Sequence, residues 1–194
     1  MFHLTTERPD DAAAIETLLD RAFGRDRQSK ISYRYRWGVV PVRGLSWVAR
    51  LGRGPADAGP IVGSIRYWPV RVGAHRDPAV LLGPLAVDPD RHGQGIGAGL
   101  MYQTLDLASW ANHPLVLLVG DLAYYRRFGF GPAAPWGFSM PGERPERVLI
   151  KPLVRSGVGV RPGPVYSAAS AVGGEADAKA ASSRHAAAIR SIVG

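Results

Sequence analysis

The sequence predicts a mixed β-sheet with helices packed on it, an α/β or α+β fold. Three observations predict this class. Strand-like apolar runs alternate with amphipathic helical patterns, glycine and proline clusters separate neighbouring strands, and a strand–helix–strand unit follows them. The chain has 194 residues, of which 46% are hydrophobic, and this fits one domain with a substantial core.

The N-terminal half predicts one strand, two helices and an antiparallel hairpin. Residues 2–6 alternate weakly and predict a short strand. Residues 8–24 combine a proline and aspartates at the start, apolar residues at helical spacing and a closing glycine, which predicts a helix. The aromatic and basic stretch 27–38 predicts a second, shorter helix. Residues 45–51 and 61–72 predict strands that are joined by a loop rich in glycine and proline.

The next predicted strand, over residues 79–87, contains the dipeptide Gly83-Pro84. Because proline donates no hydrogen bond to a sheet, this strand must bulge or lose pairing there. The remaining predicted elements are a helix over 96–111, a buried strand over 114–120, a helix of one to two turns ending at Gly129, and strands over 136–140 and 147–154.

Composition divides the chain into a domain over residues 1–155 and an extension over residues 156–194. From about Ser167 the extension consists mainly of alanine, glycine and serine. It has too few large apolar residues to build a core. We therefore expect a flexible C-terminal extension or a marginal alanine-rich helix.

Charge and composition narrow the functional classes. The net charge of +8 favours an anionic partner, but the arginines are dispersed, so a small anionic ligand is favoured over nucleic acid. The chain has no cysteine and its five histidines are scattered, which argues against thiolate chemistry and a metal site. No apolar run approaches the roughly 18 residues that span a bilayer, and no signal-peptide pattern is present. We expect a cytoplasmic protein.

Residues 91–100, RHGQGIGAGL, place four glycines directly before a helical pattern. Three interpretations are open. The segment forms a phosphate cradle, in which glycine lets an anion reach the N–H groups at a helix start. Alternatively it is a dinucleotide fingerprint, although Pro89 separates it from the preceding strand and few residues follow. The third interpretation is a glycine-rich helix entry that serves only tight packing.

Two motifs in order resemble the GNAT superfamily of N-acetyltransferases, in its bacterial predicted N-acetyltransferase branch. His92 to Gly97 resembles the family's acetyl-CoA motif, Gln/Arg-x-x-Gly-x-Gly/Ala, and Tyr125 to Phe130 resembles its Tyr-x-x-x-Gly-Phe element. The resemblance extends from about residue 2 to residue 153. His92 replaces the usual Gln or Arg, so less charge reaches a pyrophosphate, and the neighbouring Arg91 can compensate.

The resemblance implies a GNAT-like, mostly antiparallel sheet of six to seven strands flanked by about four helices. Two central parallel strands, over 79–87 and 114–120, splay apart in a V. Acetyl-CoA is then the co-substrate, and no metal is implied. Its pantetheine arm pairs with Leu85, Ala86 and Val87 as an added strand would. The pyrophosphate binds at the following turn and helix start: His92, Gly93, Gln94, Gly95, Ile96, Gly97 and Ala98.

The resemblance further implies direct acetyl transfer to a primary amine on a small molecule or peptide. The N–H of Ala86 or Val87 binds the oxyanion. Tyr125 acts as general acid towards the thiolate, because a phenol with a pKa of about 10 is protonated at neutral pH; packing is the alternative role. Asp121 is either the base or a helix cap, and the base stays unassigned. The alternative function is a non-catalytic CoA-binding module, and a monomer or homodimer is expected.

The acceptor is expected across the slot from CoA, near the first two helices. Candidate contacts are Tyr33, Tyr35, Trp37 and Trp68, each of which packing also explains. Arg126 and Arg127 either reach a phosphate of CoA or stay solvated.

Overall fold

The computed structural model describes residues 1–52, 54, 59–153 and 159–170. In these ranges eight strands form one sheet in the order β1-β2-β3-β4-β5-β7-β6, and β8 pairs with β3 off this path. The strands are β1 Phe2–Thr6, β2 Trp47–Leu51, β3 Ile61–Val72, β4 Asp77–Val87, β5 Leu115–Val119, β6 Gly131–Pro132, β7 Val148–Pro152 and β8 Val165–Ser167. The α-helices are α1 Ala12–Phe23, α2 Ile31–Arg34, α3 Ile96–Trp110 and α4 Leu122–Tyr125.

Six short 3-10 helices connect these elements in the described ranges: Pro9–Asp11, Arg25–Ser29, Pro89–Arg91, Arg126–Phe128, Ala134–Trp136 and Pro145–Arg147. The sheet is antiparallel except between β4 and β5, which run parallel. The predicted fold class is therefore confirmed. The sheet has one strand more than the expected maximum, because the short strand β8 joins it.

Helices cover both faces of the sheet. On one face α3 contributes Ile96, Leu100 and Met101 to a core that includes Ile65 and Tyr67. On the opposite face α1 buries its apolar side against Val48 and Ala86, and α2 lies beside a second core around Leu81 and Leu117. Successive strand residues alternate between these cores, as the pleat of a sheet requires.

The first helix begins and ends where its sequence predicts. Pro9 opens a 3-10 turn, and the Asp11 carboxylate accepts a hydrogen bond from the Arg8 N–H at 2.8 Å. Gly24 ends the helix with φ +85°, a conformation that glycine adopts without a steric penalty.

The strand predicted over residues 136–140 is wrong. Phe138 and Met140 are buried, as a strand alternation would require, but Trp136 is 63% exposed. The backbone forms a 3-10 turn up to Trp136 and a single bridge from Ser139 to Pro164. Gly137 has φ +76°, which interrupts extended structure. The strand in this region is the two-residue β6 instead.

The second helix is shorter than predicted, because the first part of the stretch 27–38 is 3-10 and only Ile31–Arg34 is α-helical. In the predicted extension, β8 pairs with β3 through residues 165–167. The boundary at 155 and the alanine-rich residues 171–194 lie outside the described residues. None of the helices in the described ranges is both long and apolar enough to cross a bilayer.

Candidate functional site

A slot opens where β4 separates from β5. The two strands pair from Val80 to Leu82, and the last partner of Leu82 is Leu118. Pairing of β4 with β3 continues to Val87 and skips the dipeptide Gly83-Pro84, which forms a bulge. The predicted interruption is therefore confirmed, and beyond it one edge of β4 faces no strand of the described chain.

Along this part of β4, the N–H and C=O groups of successive residues point alternately towards β3 and into the slot. The Asp88 N–H donates to the Val62 carbonyl of β3 at 2.9 Å, and Ala86 lies opposite Ser64 of β3. Because successive residues of a strand direct their backbone groups to opposite sides, Leu85 and Val87 direct theirs into the slot. Ala86 offers its backbone to β3, so Val87 is the one of the two expected oxyanion donors that faces the slot.

The glycine-rich turn lies at the start of α3, beside the end of β4. Gly93 and Gly95 have φ of +78° and +80°, values that favour glycine. Residues 92–95 are exposed, and a Cβ built on Gly93 or Gly95 would meet no atom within 4 Å. The turn is therefore open, and no side chain of the described residues covers Gly93 or Gly95.

Six successive amides of this turn lack an internal acceptor. Among the described residues from Gly93 onward, Gly99 is the first whose N–H donates a hydrogen bond to a main-chain carbonyl, that of Gly95, at 2.9 Å. No acceptor within those residues is found for the N–H groups before it, which belong to Gly93, Gln94, Gly95, Ile96, Gly97 and Ala98. Unpaired N–H groups at the positive end of a helix dipole form an anion site.

One glycine of the segment, Gly97, is also needed for close packing. A Cβ built on Gly97 would lie 2.8 Å from the Tyr124 hydroxyl oxygen and 3.3 Å from a methyl carbon of Val87. Glycine therefore lets α3 approach β4 closely at this position. The dinucleotide fingerprint does not match, since the 3-10 turn Pro89–Arg91 separates strand from glycines and the sheet is mostly antiparallel.

An ion-pair cluster holds the chain between β4 and the glycine turn. Arg21 of α1 contacts Asp88 at 2.9 Å and Asp90 at 3.0 Å. Asp88 also accepts a hydrogen bond from the Asp90 N–H. Arg21 therefore compensates two carboxylates near the open amides. The side chain of His92 is exposed and Arg91 is half-buried.

Tyr125 lies at the end of β5, beyond its paired segment. A Cβ built on Gly120 would collide with the Tyr125 ring, at 2.8 Å from Cδ2, so the ring packs directly on that glycine. The ring also makes edge contacts with Tyr124 and Phe130, at centroid distances of 4.9 and 6.0 Å. Burial, with a contribution from Tyr124, raises the pKa of Tyr125 to about 12, so the phenol stays protonated at neutral pH.

Two polar residues near Tyr125, Asp121 and Arg127, make contacts that stabilise the local structure. The exposed Asp121 carboxylate caps α4 by accepting from the Ala123 N–H at 2.9 Å. Arg127 is exposed and stacks on the Tyr124 ring at 4.3 Å, and Arg126 is exposed as well. In the described ranges no group of three or more metal-ligating side chains comes together.

The predicted acceptor residues occupy different environments. The Trp68 indole N–H donates to the Gly83 carbonyl at 2.6 Å, which places Trp68 at the slot. Tyr35 is buried and donates to the Pro141 carbonyl at 3.2 Å, so it belongs to the core. Tyr33 and Trp37 are half-buried.

Sequence reasoning missed Arg36. Its Nη2 atom would lie 3.2 Å from a Cβ built on Gly83, so the guanidinium lies against the residue at which β4 leaves β5. The alternation of tyrosine and arginine over residues 33–36 was the available signal. It does not say which of these side chains turns inward.

Comparisons with known proteins agree with this architecture. Residues 43–132 match the model of the acetyltransferase (GNAT) domain. The uncharacterised N-acetyltransferase YhbS of Escherichia coli K12 is 35% identical over 131 residues, which cover 68% of this chain and 74% of YhbS.

Two solved structures share the fold along most of the chain. The crystal structure of E. coli YhbS in complex with CoA has a TM-score of 0.71 at 30% identity, and it covers 86% of this chain and 89% of YhbS. A GNAT family acetyltransferase from Brucella melitensis in complex with acetyl-CoA has a TM-score of 0.63 at 28% identity, with coverages of 87% and 97%.

Proposed function

Since this chain belongs to the GNAT family of N-acetyltransferases, we propose that it transfers an acetyl group from acetyl-CoA directly to a primary amine. One observation carries the proposal: six successive N–H groups, from Gly93 to Ala98, are without an internal acceptor among the described residues, and the first three of them belong to exposed residues. A diphosphate satisfies such donors with charge-assisted hydrogen bonds.

The residues present fit coenzyme A. The open turn and the start of α3 would hold the diphosphate, and the free edge of β4 would hold an amide-bearing arm. Leu85 and Val87 direct backbone donors and acceptors into the slot, where an extended chain adds like a strand. The YhbS and Brucella structures, which contain CoA and acetyl-CoA, support the same interpretation.

The chemistry needs few groups from the protein. Bound acetyl-CoA supplies an acetyl group that is activated as a thioester. The Val87 N–H faces the slot and would donate to a carbonyl oxygen there. Tyr125 keeps its proton at neutral pH and would donate it to the leaving sulfur. Asp121 serves as a helix cap, so we assign no residue as base.

The acceptor enters from the face opposite α3 in this proposal. That face carries α1 and α2, with Trp68 at the slot. The acceptor is a primary amine on a small molecule or a peptide. Arg126 and Arg127, both exposed, are not required by the proposal.

The test is a calorimetric titration with CoA, acetyl-CoA and pantetheine, followed by thiol release across a panel of amines. Pantetheine lacks the diphosphate and is the matched control ligand. We expect CoA to bind at least tenfold more tightly than pantetheine, and at least one amine to release thiol. Binding without turnover across the panel would favour a non-catalytic CoA-binding module. No binding of CoA would overturn the proposal.

A further inference from the structure

Arg36 lies at the apex of the slot. It lies two residues beyond the end of α2, and its Nη2 atom would be 3.2 Å from a Cβ on Gly83. Gly83 is the first residue of β4 beyond its last pair with β5, Leu82 with Leu118. The guanidinium therefore lies where the two strands separate, on the face that carries α2 and not α3.

The guanidinium has unused donors. The Nε and Nη1 atoms of Arg36 are buried and have no hydrogen-bond partner in the described parts of the chain. No carboxylate of those parts lies within ion-pair distance of Arg36. Its close neighbour is the ring of Tyr33, 4.4 Å below the guanidinium carbon. An aromatic ring stabilises a cation only weakly compared with a carboxylate.

Two neighbouring arginines are fully paired, in contrast to Arg36. Arg66 makes two hydrogen bonds to Glu7, at 2.8 and 2.7 Å. Arg27 contacts Asp20 at 2.8 Å and also pairs with Glu16. The carboxylates near this cluster are therefore bound to the other two guanidinium groups.

An unpaired cation in this position is unfavourable for the ligand-free chain. Burial lowers the pKa of Arg36 to about 10, against an opposing contribution from Tyr33. The side chain remains charged at neutral pH all the same. Leaving a buried charge without a partner destabilises a fold, and such a cost is typical of functional sites.

We propose that Arg36 binds a carboxylate carried by the substrates that meet in the slot, with the amine acceptor as the main source. This inference rests on the proposed acetyl transfer and names its substrate class: amines that also carry a carboxylate, such as amino acids. One unpaired cation matches one negative charge, and the planar guanidinium fork fits a carboxylate with two hydrogen bonds. A phosphate monoester would bring more charge than this site compensates.

Binding must include a local movement. Because Nε and Nη1 are covered in the ligand-free chain, the guanidinium turns towards the slot when the anion enters. The same chemistry could come from an acyl chain that ends in a carboxylate. The experiment therefore has one arm for each source.

In the first arm, amines are titrated into protein that is saturated with CoA. Because CoA carries no acetyl group, the amines bind to this complex without reacting. The amines form pairs that differ in the carboxylate: γ-aminobutyrate with propylamine, ε-aminocaproate with pentylamine, and L-tyrosine with tyramine. We expect the carboxylate member of at least one pair to bind about 10- to 100-fold more tightly, as a charged hydrogen bond predicts. Arg36→Met should abolish this preference and Arg36→Lys should retain part of it.

In the second arm, succinyl-CoA is compared with butyryl-CoA, which has the same acyl length without the carboxylate. A preference for succinyl-CoA that Arg36→Met removes would identify the acyl chain as the source. Arg34→Met is the matched control, since Arg34 is an exposed arginine at the end of α2, two residues before Arg36. It should leave both preferences unchanged.

A stability measurement separates binding from a structural role. Ligand-free Arg36→Met should melt at or above the temperature of the wild type, because it removes a buried cation without a partner. A melting temperature several degrees lower would show that Arg36 supports the fold and would overturn the proposal.

The proposal is also overturned if neither arm shows a carboxylate preference, or if Arg36→Met keeps it. If CoA itself does not bind, the proposed acetyl transfer fails. Titration of the amine pairs without CoA then still decides whether Arg36 binds carboxylates.

Discussion

The two ends of the slot, the start of α3 and the apex at Arg36, offer different kinds of hydrogen-bond donor. At the start of α3 the proposed donors are backbone N–H groups of a turn whose residues 92–95 are exposed. At the apex the donor is one side chain, Arg36, whose Nε and Nη1 atoms are buried and which has no carboxylate partner among the described residues. The first arrangement is neutral until a ligand arrives, and the second already carries a charge.

From this difference we expect the turn to set the affinity for CoA and the apex to set the selectivity among substrates. Backbone donors at a helix start suit any diphosphate of the right shape, and they tolerate changes in the surrounding side chains. A guanidinium without a partner favours ligands that pair with it over ligands that do not, because only the former relieve the cost of the unsatisfied charge. We therefore expect substitutions at the turn to change CoA affinity, and substitutions at the apex to change the choice of substrate.

The largest expected effect lies between the two ends, at Tyr125. Tyr125→Phe removes the proton donor but keeps the ring that packs on Gly120. We expect kcat to fall by roughly 100-fold, as loss of a general acid predicts, with CoA affinity unchanged. Steady-state kinetics of thiol release measure the first value and calorimetry the second. A rate within about twofold of the wild type would remove Tyr125 from the mechanism.

The next effect tests the backbone donors themselves. Gln94→Pro deletes one N–H of the open turn, whereas Gln94→Ala deletes only an exposed side chain. We expect the proline variant to weaken CoA binding by about 10- to 100-fold and the alanine variant to leave it within twofold. If both variants lost CoA affinity equally, the Gln94 side chain and not its N–H would bind CoA. The contrast between backbone donors at the turn and a side-chain donor at the apex would then fail.

The pH profile tests the environment of Tyr125. A general acid works only while protonated, so a pKa raised to about 12 extends its working range upward. With a saturating amine, kcat should not decline up to about pH 11, where a phenol with an ordinary pKa near 10 is mostly ionised. A decline centred near pH 10 would contradict the burial of this hydroxyl.

The smallest expected effect concerns His92. Its side chain is exposed at the edge of the turn, and in the proposed site the backbone amides, not side chains, carry the diphosphate. His92→Ala should change the Kd for CoA by less than about twofold, within the range of a weak surface contact. A loss of tenfold or more would mean that a side chain shares the anion site after all.

Local signals made much of the fold predictable. Strand β3 spans the predicted residues 61–72, and the bulge of β4 lies at the predicted Gly83-Pro84. Proline and glycine act on their own backbone, so their effect is visible in a short stretch of sequence. The open turn at the start of α3 was predictable for the same reason.

Features that depend on distant partners were not predictable. The pattern over residues 136–140 has buried Phe138 and Met140 but no strand partner beyond one bridge. Strand β8 exists because residues far along the chain return to β3. Arg36 gains its importance from burial beside Gly83, a contact between residues far apart in sequence. Only tertiary packing could show that it, and not Arg34, turns inward.

Amide hydrogen exchange in the turn, followed by NMR with and without CoA, tests the central claim most directly. The account predicts that CoA slows exchange and shifts the amide signals of Gly93, Gln94, Gly95, Ile96, Gly97 and Ala98. Amides of exposed turns elsewhere in the chain should not respond. If CoA binds and these six signals do not change, the diphosphate is held elsewhere and the account is contradicted.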